Sequence, residues 1–232
     1  MRFLTFLAAL ACAAAAAHAA PPDYRAFPAD GDRLLLWAAS ERGLSPAELE
    51  AARKLAAQGV EVWSLDPVNA YLLPALPSSL EAVPAADVAA WLTAALDSGK
   101  QVAAVAVARA AVPLLRAAAR LDPAQRGRLC LLLMAPNLYA SAEALAAPEY
   151  LETGPLDGLR TRVLQPRRSA ATPWLPGLVE HLAQQGATVS RVMLDDLREG
   201  YWARETPTAF EVAEGRRMDA LLLREWKRGG CE

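Results

Sequence analysis

The sequence predicts an α/β fold in which about six mostly parallel strands form one sheet with helices on both faces. Short apolar runs recur along the chain, as expected of strands that are buried on both sides. Amphipathic segments with helical spacing alternate with these runs. The 232 residues, 54% of them apolar, are enough for one core and leave little room for a second domain.

Six strands are predicted from the apolar runs. The segments are RLLLWA from Arg33, VEVWSL from Val60, QVAAVAV from Gln101, RLCLLLM from Arg128, RTRVLQ from Arg160 and SRVML from Ser190. Because they are short and mainly apolar, they are typical of a buried parallel sheet rather than of one exposed on one face.

Helices are predicted between and after these strands. The first begins at Ser45-Pro46-Ala47-Glu48, where a capping serine precedes a proline and an acidic residue in the first turn, and it ends at Gly59. Apolar residues at three- and four-residue spacing predict further helices over residues 84–97 and 172–185. A last helix, over residues 208–227, closes the fold.

Two longer connections interrupt this alternation, at residues 66–83 and 135–158. Both are predicted to leave the carboxyl end of the sheet, which is where ligands bind in open α/β folds. The second connection is long enough to form a small cap that contains Tyr139 and Tyr150.

The N-terminus has the features of a secretory signal peptide. Arg2 precedes an apolar run, and Ala17-His18-Ala19 provides the small residues of a cleavage site. We therefore predict a signal peptide over residues 1–19 and a single domain over residues 20–232, which is periplasmic or secreted. The run is shorter than the roughly 20 residues that span a bilayer. A lipoprotein site at Cys12 is the weaker alternative, because the apolar run continues beyond it.

After cleavage the chain would keep two cysteines, Cys130 in an apolar strand and Cys231 in the C-terminal tail. A disulfide between them is one alternative in an oxidising compartment. A buried strand position and a tail position favour two unpaired thiols, or an intermolecular bond at Cys231. No C-x-x-C motif is present, so the chain is not predicted to be a dithiol oxidoreductase.

Charge and motifs argue against several other classes of protein. A net charge of −2 provides no broad basic surface, so we predict no binding to nucleic acid. The sequence has no G-x-G-x-x-G after a strand and no Walker loop, which predicts no nucleotide cofactor. It has no H-E-x-x-H motif, and Asp195-Asp196 alone offers too few ligands, so no metal site is predicted.

Residues 101–120 predict a strand, a tight turn and a helix, with Ala108 at the centre of the turn. Ala106 and Ala110 flank it, and such small residues let strand and helix approach closely. Together with the order of elements, this turn resembles the nucleophile elbow of an α/β-hydrolase, G-x-S-x-G, and the resemblance covers about residues 32–226. It implies a compact hydrolase core without its first antiparallel strands. The elbow is degenerate, because the methyl group of Ala108 cannot attack a carbonyl.

The same resemblance implies an acid and a histidine after the later strands, and the sequence lacks both there. Gln165-Pro166-Arg167-Arg168-Ser169 contains no carboxylate, and residues 195–202 contain no histidine. His181 lies within a predicted helix, away from the strand ends. We therefore expect a non-catalytic binding or accessory protein of the cell envelope. The alternative is an esterase-like hydrolase with a non-standard nucleophile such as Ser40 or Ser169.

Charged and polar residues that follow the strands are candidate ligand-binding residues. They are Arg109, Arg168, Arg198, Asp66 and Asn137. Arg109, with Arg168 or Arg198, is predicted to hold a small acidic ligand or an acidic side chain of a partner, because guanidinium groups near helix N-termini bind carboxylates and phosphates. The alternative is that Arg109 pairs with Asp66 or Asp195 and only makes the pocket more rigid.

Shorter fragments, among them Leu164-Gln165-Pro166 and Gly200-Tyr201-Trp202, resemble exported bacterial hydrolase-like proteins. Some of these proteins are linked to thioredoxin-like thiol-disulfide reductases. The resemblance therefore implies such a reductase as an envelope partner.

Overall fold

The structure is a computed structural model, and it describes residues 21–141 and 148–229. Nine strands lie in this part of the chain, in the order β1 (Arg25–Phe27), β2 (Arg33–Ala38), β3 (Val60–Leu65), β4 (Gln101–Val107), β5 (Leu129–Met134), β6 (Tyr139–Ser141), β7 (Glu149–Tyr150), β8 (Arg160–Pro166) and β9 (Thr188–Leu194). The predicted signal peptide and Cys231 lie outside the described residues.

Seven of the strands form a central sheet in the order β1-β3-β2-β4-β5-β8-β9. All neighbours are parallel except β1, which runs antiparallel to β3. The predicted mostly parallel α/β sheet is confirmed, and its six predicted strands correspond to β2, β3, β4, β5, β8 and β9. The expectation that the antiparallel edge is missing was wrong, because β1 supplies one such strand.

The helices are α1 (Pro46–Ala57), α2 (Pro67–Ala70), α3 (Ala85–Asp97), α4 (Ala111–Ala118), α5 (Pro123–Arg128), α6 (Leu175–Gln184), α7 (Ala209–Gly215) and α8 (Met218–Arg228). Three 3₁₀ segments accompany them, at Pro77–Ala82, Ala108–Ala110 and Thr172–Trp174. Among the described residues, no helix has the length and apolar composition that crossing a bilayer requires.

The single last helix that the sequence predicts is divided into α7 and α8. Gly215 ends α7, and a Cβ atom at this position would lie 3.4 Å from the Cα atom of Trp202. Glycine is a weak helix former, so it favours a helix end at this position, and α7 packs against Trp202 at an ordinary van der Waals distance.

The core lies on both faces of the sheet because side chains alternate along each strand. In β4, Val102, Ala104 and Ala106 face the cluster formed with α3, α4 and α6, whereas Ala103, Val105 and Val107 face the cluster formed with α1 and α8. The alanines of β4 leave room for bulky partners such as Trp91 of α3 and Trp226 of α8, which are both buried. This packing fixes β4, and with it the turn that follows.

The connection after β5, which the sequence predicts to form a small cap, contains two short strands of its own. β6 and β7 pair antiparallel as a two-stranded sheet, with Tyr139 opposite Tyr150. The two rings lie 5.6 Å apart. Residues 142–147, which join these strands, lie outside the described part.

Cys130 differs from the expectation of an unpaired thiol, since it is disulfide-bonded. Its bonding partner lies outside the described residues. Cys130, Arg228 and Gly229 line one small cleft, so α8 brings the end of the described chain beside β5. The sequence gives a disulfide at Cys130 only as one alternative, because it does not show that α8 brings Arg228 and Gly229 beside β5.

Candidate functional site

The turn after β4 has the backbone of a nucleophile elbow. Val107 is extended, with φ −107° and ψ 130°, whereas Ala108 has a φ of +49° and begins the 3₁₀ turn that leads into α4. The left-handed region costs a residue with a side chain about 1–2 kcal/mol, so it is retained only where packing imposes it. Here the flanking residues Ala106 and Ala110 are completely buried. The methyl group of Ala108 stands where the elbow presents its side chain.

Ala108 forms part of the wall of a cleft of about 510 Å³ at the carboxyl end of the sheet. The other walls come from the β2–α1 connection, from Ala135 after β5 and from the chain that follows β9. Ala135 also has a positive φ, of +45°, so two strained turns lie side by side in this cleft. We call this cavity the elbow cleft.

A hydrogen bond between a serine and a glutamate joins the connections after β8 and β9, where the resemblance to α/β-hydrolases implies an acid and a histidine. After β8, the hydroxyl of Ser169 donates to a carboxylate oxygen of Glu199, which follows β9, at 2.7 Å. Glu199 lines the elbow cleft, and Ser169 is 7% exposed.

His181 lies on α6, as the sequence predicts, and not among the residues that line the elbow cleft. Its ring stacks on Tyr150 with centroids 4.8 Å apart, and its Nε2 atom is 3.0 Å from Nε2 of Gln185. These contacts show that His181 packs against Tyr150 and Gln185.

Arg109 is held inside the fold by three residues. Its guanidinium donates to Glu81 at 2.5 Å, to the amide oxygen of Asn137 at 3.0 Å and to the carbonyl oxygen of Tyr139 at 2.6 Å. The side chain is only 10% exposed. The structure therefore matches the alternative of internal pairing, but the partner is Glu81 rather than Asp66 or Asp195. Glu81 belongs to the 3₁₀ helix Pro77–Ala82, within a connection where sequence analysis assigned no role to it.

The remaining ligand-binding candidates are dispersed. Asp66 caps α2 by accepting from the backbone N–H of Asn69. Arg198 donates two hydrogen bonds to Glu211 of α7, and these bonds lower the pKa of that carboxyl to about 2. Arg168 is exposed. Of the five candidates, hydrogen bonds join only Arg109 and Asn137 within the described residues.

The elbow cleft is acidic, which the sequence analysis did not predict. Four glutamates line it, against two arginines: Glu41, Glu48, Glu199 and Glu205, with Arg42 and Arg204. Burial raises the pKa of Glu48, although hydrogen bonding by Ser45 and the nearby indole N–H groups of Trp37 and Trp202 oppose this effect. In the part of the chain that the structure describes, no three His, Cys, Asp or Glu side chains converge to hold a metal ion.

Glu48 was missed because a local role already accounts for a glutamate at this position of the sequence. It closes a capping box with Ser45 at the start of α1: the Ser45 N–H donates to Glu48 Oε2 at 2.7 Å, and the Glu48 N–H donates to Ser45 Oγ. That box was visible in the sequence as a helix start. The packing of α1 against the elbow cleft, which makes Glu48 part of its wall, was not.

No protein-family model matches this sequence, and no curated protein sequence matches it. Solved structures do match the fold. A protein from Klebsiella pneumoniae assigned as a dienelactone hydrolase gives a TM-score of 0.57 at 15% identity, over 85% of this chain and 89% of that one. An esterase from Pyrobaculum calidifontis gives 0.57 at 14%, over 90% and 82%. Esterase 2 from Thermogutta terrifontis gives 0.54 at 15%, over 89% and 87%. The chain therefore has the α/β-hydrolase fold.

Proposed function

We propose that this chain is an exported α/β-hydrolase-like protein that no longer catalyses hydrolysis and uses its elbow cleft to bind a ligand or partner in the cell envelope. The observation that carries the proposal is the turn at Ala108. Its left-handed backbone is that of a nucleophile elbow, but its side chain is a methyl group. A methyl group has no lone pair with which to attack a carbonyl or an ester.

The groups that surround Ala108 support the loss of catalysis. A hydrolase needs a base close to neutral pKa to remove the proton of its nucleophile. After β9, where the resemblance implies a histidine, Glu199 offers a carboxylate in place of an imidazole. That carboxylate already accepts a hydrogen bond from Ser169.

The hydrogen bond from Ser169 to Glu199 also favours a second candidate function, an esterase that uses Ser169 as nucleophile and Glu199 as base. Against it, Ser169 is nearly buried and is not among the residues that line the elbow cleft. Its hydroxyl also accepts from the backbone N–H of Ala171, which fixes its orientation. Ser40 does line the cleft, but its hydroxyl accepts from Arg42 N–H and has no carboxylate or imidazole partner among the described residues.

The export part of the proposal is supported by two independent features. The N-terminal residues have the pattern of a signal peptide. Cys130 is disulfide-bonded, and disulfides persist mainly in exported proteins. A thioredoxin-like thiol-disulfide reductase of the envelope is the protein partner that we propose to test first.

A fluorophosphonate probe separates the two functions, because it labels activated serines whatever the natural substrate is. We expect the mature protein to remain unlabelled and to show no turnover of a panel of short- and long-chain esters. Ser40→Ala and Ser169→Ala serve as matched variants. The proposal is overturned, and the esterase established, if the probe labels the native protein. That labelling must be lost both in Ser169→Ala and after heat denaturation.

A further inference from the structure

Two carboxylate oxygens in the wall of the elbow cleft have no hydrogen-bond partner among the described residues. Glu48 is 3% exposed; its Oε2 atom accepts from Ser45, whereas its buried Oε1 atom accepts from no group. Glu41 Oε1 lies 3.8 Å from Nε of Arg42, whereas its buried Oε2 atom is unpartnered. Buried polar atoms are almost always hydrogen-bonded, so two exceptions in one cleft require an explanation.

The fold supplies little positive charge to these two carboxylates. The side chain of Arg42 is 86% exposed. Arg204 donates to the backbone carbonyl of Glu199. The indole N–H groups of Trp37 and Trp202 lie near Glu48, but neither is positioned to donate to its Oε1 atom. A buried carboxylate without a counter-ion is costly, and a cation that enters the cleft would reduce that cost.

We propose that the elbow cleft binds an organic cation, a primary ammonium or guanidinium group, whose N–H groups donate to the free oxygens of Glu48 and Glu41. This inference rests on the proposed function, since it names the ligand class of the same cleft. It replaces the small acidic ligand that the sequence suggested. Because both oxygens are covered by neighbouring atoms, the carboxyl groups turn toward the cleft on binding, which the broad terminal torsion of glutamate permits.

The cleft fits an organic cation better than a metal ion. A metal needs several ligands at about 2.0–2.6 Å around one point, and no such group of three exists in the described ranges 21–141 and 148–229. An ammonium or guanidinium on an alkyl chain carries three to five N–H donors and can satisfy oxygens on different walls. Trp202, which lines the same cleft, adds an aromatic ring that attracts organic cations.

Isothermal titration calorimetry with agmatine and putrescine tests the inference, with 1,4-butanediol as the uncharged analogue. At about 0.15 M salt, where exposed charges are largely screened, we expect at least one of the two cations to bind and butanediol not to bind. Glu48→Gln should weaken that binding about 10- to 100-fold, as expected for the loss of one charge-assisted hydrogen bond. Glutamine still completes the capping box, so the variant retains the start of α1.

Glu50→Gln is the matched control, because Glu50 lies on the same helix, is exposed and pairs only with Arg53 at 3.5 Å among the described residues. Its affinity should stay within about twofold of wild type. Glu41→Gln provides a second variant if Glu48→Gln fails to fold. Absence of cation binding, equal binding of butanediol, or unchanged affinity in both cleft variants would overturn the inference. Probe labelling is independent of these results, so failure of the cation site leaves the non-catalytic proposal intact.

Discussion

Replacing Arg109 with alanine distinguishes a structural role from a ligand-binding role for the residue next to the elbow. The sequence suggests that this change weakens ligand capture and leaves the fold intact. The structure predicts the opposite, because the guanidinium connects the elbow turn to Glu81 on one side and to the β5–β6 connection on the other. We therefore expect Arg109→Ala to destabilise the protein.

The size of this effect follows from the contacts that are lost. Removing one member of a buried ion pair costs about 3–5 kcal/mol, because the other charge stays buried. The side chain of Glu81 is 30% exposed, so hydration reduces this cost. The carbonyl oxygen of Tyr139 and the amide oxygen of Asn137 lose a charged donor, and such bonds contribute about 1.5–3 kcal/mol each. These contributions belong to one network and are not additive, so we expect a total loss of at least about 3 kcal/mol, which lowers the Tm by at least about 6 °C in a domain of this size.

Urea unfolding followed by tryptophan fluorescence, together with thermal melting, measures this loss. Arg168→Ala is the matched control, since Arg168 is exposed and its side chain has no ion pair or hydrogen bond within the described chain; its stability should change by less than about 0.5 kcal/mol. A double-mutant cycle with Glu81→Gln should show a coupling energy of about 0.5–3 kcal/mol. If Arg109→Ala unfolds at the wild-type urea concentration and loses only ligand or partner binding, the structural role is refuted.

Two further predictions concern the ion pair of Arg198 with Glu211 and the left-handed turn at Ala108. Hydrogen bonding by Arg198 lowers the pKa of Glu211 from 4.5 to about 2, so the stability that this pair contributes is complete above about pH 4.5 and is lost as the pH falls toward 2. The difference in urea stability between wild type and Glu211→Gln should therefore shrink between about pH 6 and pH 2.5, whereas a constant difference would speak against the pair. Ala108→Gly should be neutral or stabilising by up to about 1 kcal/mol, because relief of the left-handed strain outweighs the added freedom of the unfolded chain. Ala90→Gly, in the middle of α3, should cost about 1 kcal/mol, and an equal loss at both positions would show that Ala108 is not strained.

The central parallel strands β2, β4 and β5 were predictable because each is a nearly continuous apolar run that the fold buries on both faces. In β5 every residue from Leu129 to Met134 is buried. β1 carries no such signal, since it has three residues and two of them are exposed. Its place at the sheet edge depends on backbone pairing with β3 and on the stacking of Tyr24 on Trp63 at 4.6 Å. Both contacts join segments that are far apart in the sequence, so no local pattern indicates them.

The candidate site was predictable only where the relevant signal is local. Small residues around Ala108 indicated a tight turn, and the structure has a left-handed backbone there. Glu48 was also visible, but its capping box already accounted for it, so nothing in the sequence indicated a second role in the wall of a cleft. The pairing of Ser169 with Glu199 joins two turns 30 residues apart, and only the adjacency of β8 and β9 brings them together.

The charge of the elbow cleft depends on which arginines are neutralised within the fold. Counting the arginines that follow the strands predicts a site for anions. In the structure Arg109 pairs with Glu81, Arg198 with Glu211 and Arg167 with Asp195, each at 2.5 Å. The partners lie 28, 13 and 28 residues away, so the tertiary fold decides these pairings. Because these three arginines are paired and none of them lines the cleft, the glutamates around Ala108 outnumber its two arginines, and the expected ligand changes from an anion to a cation.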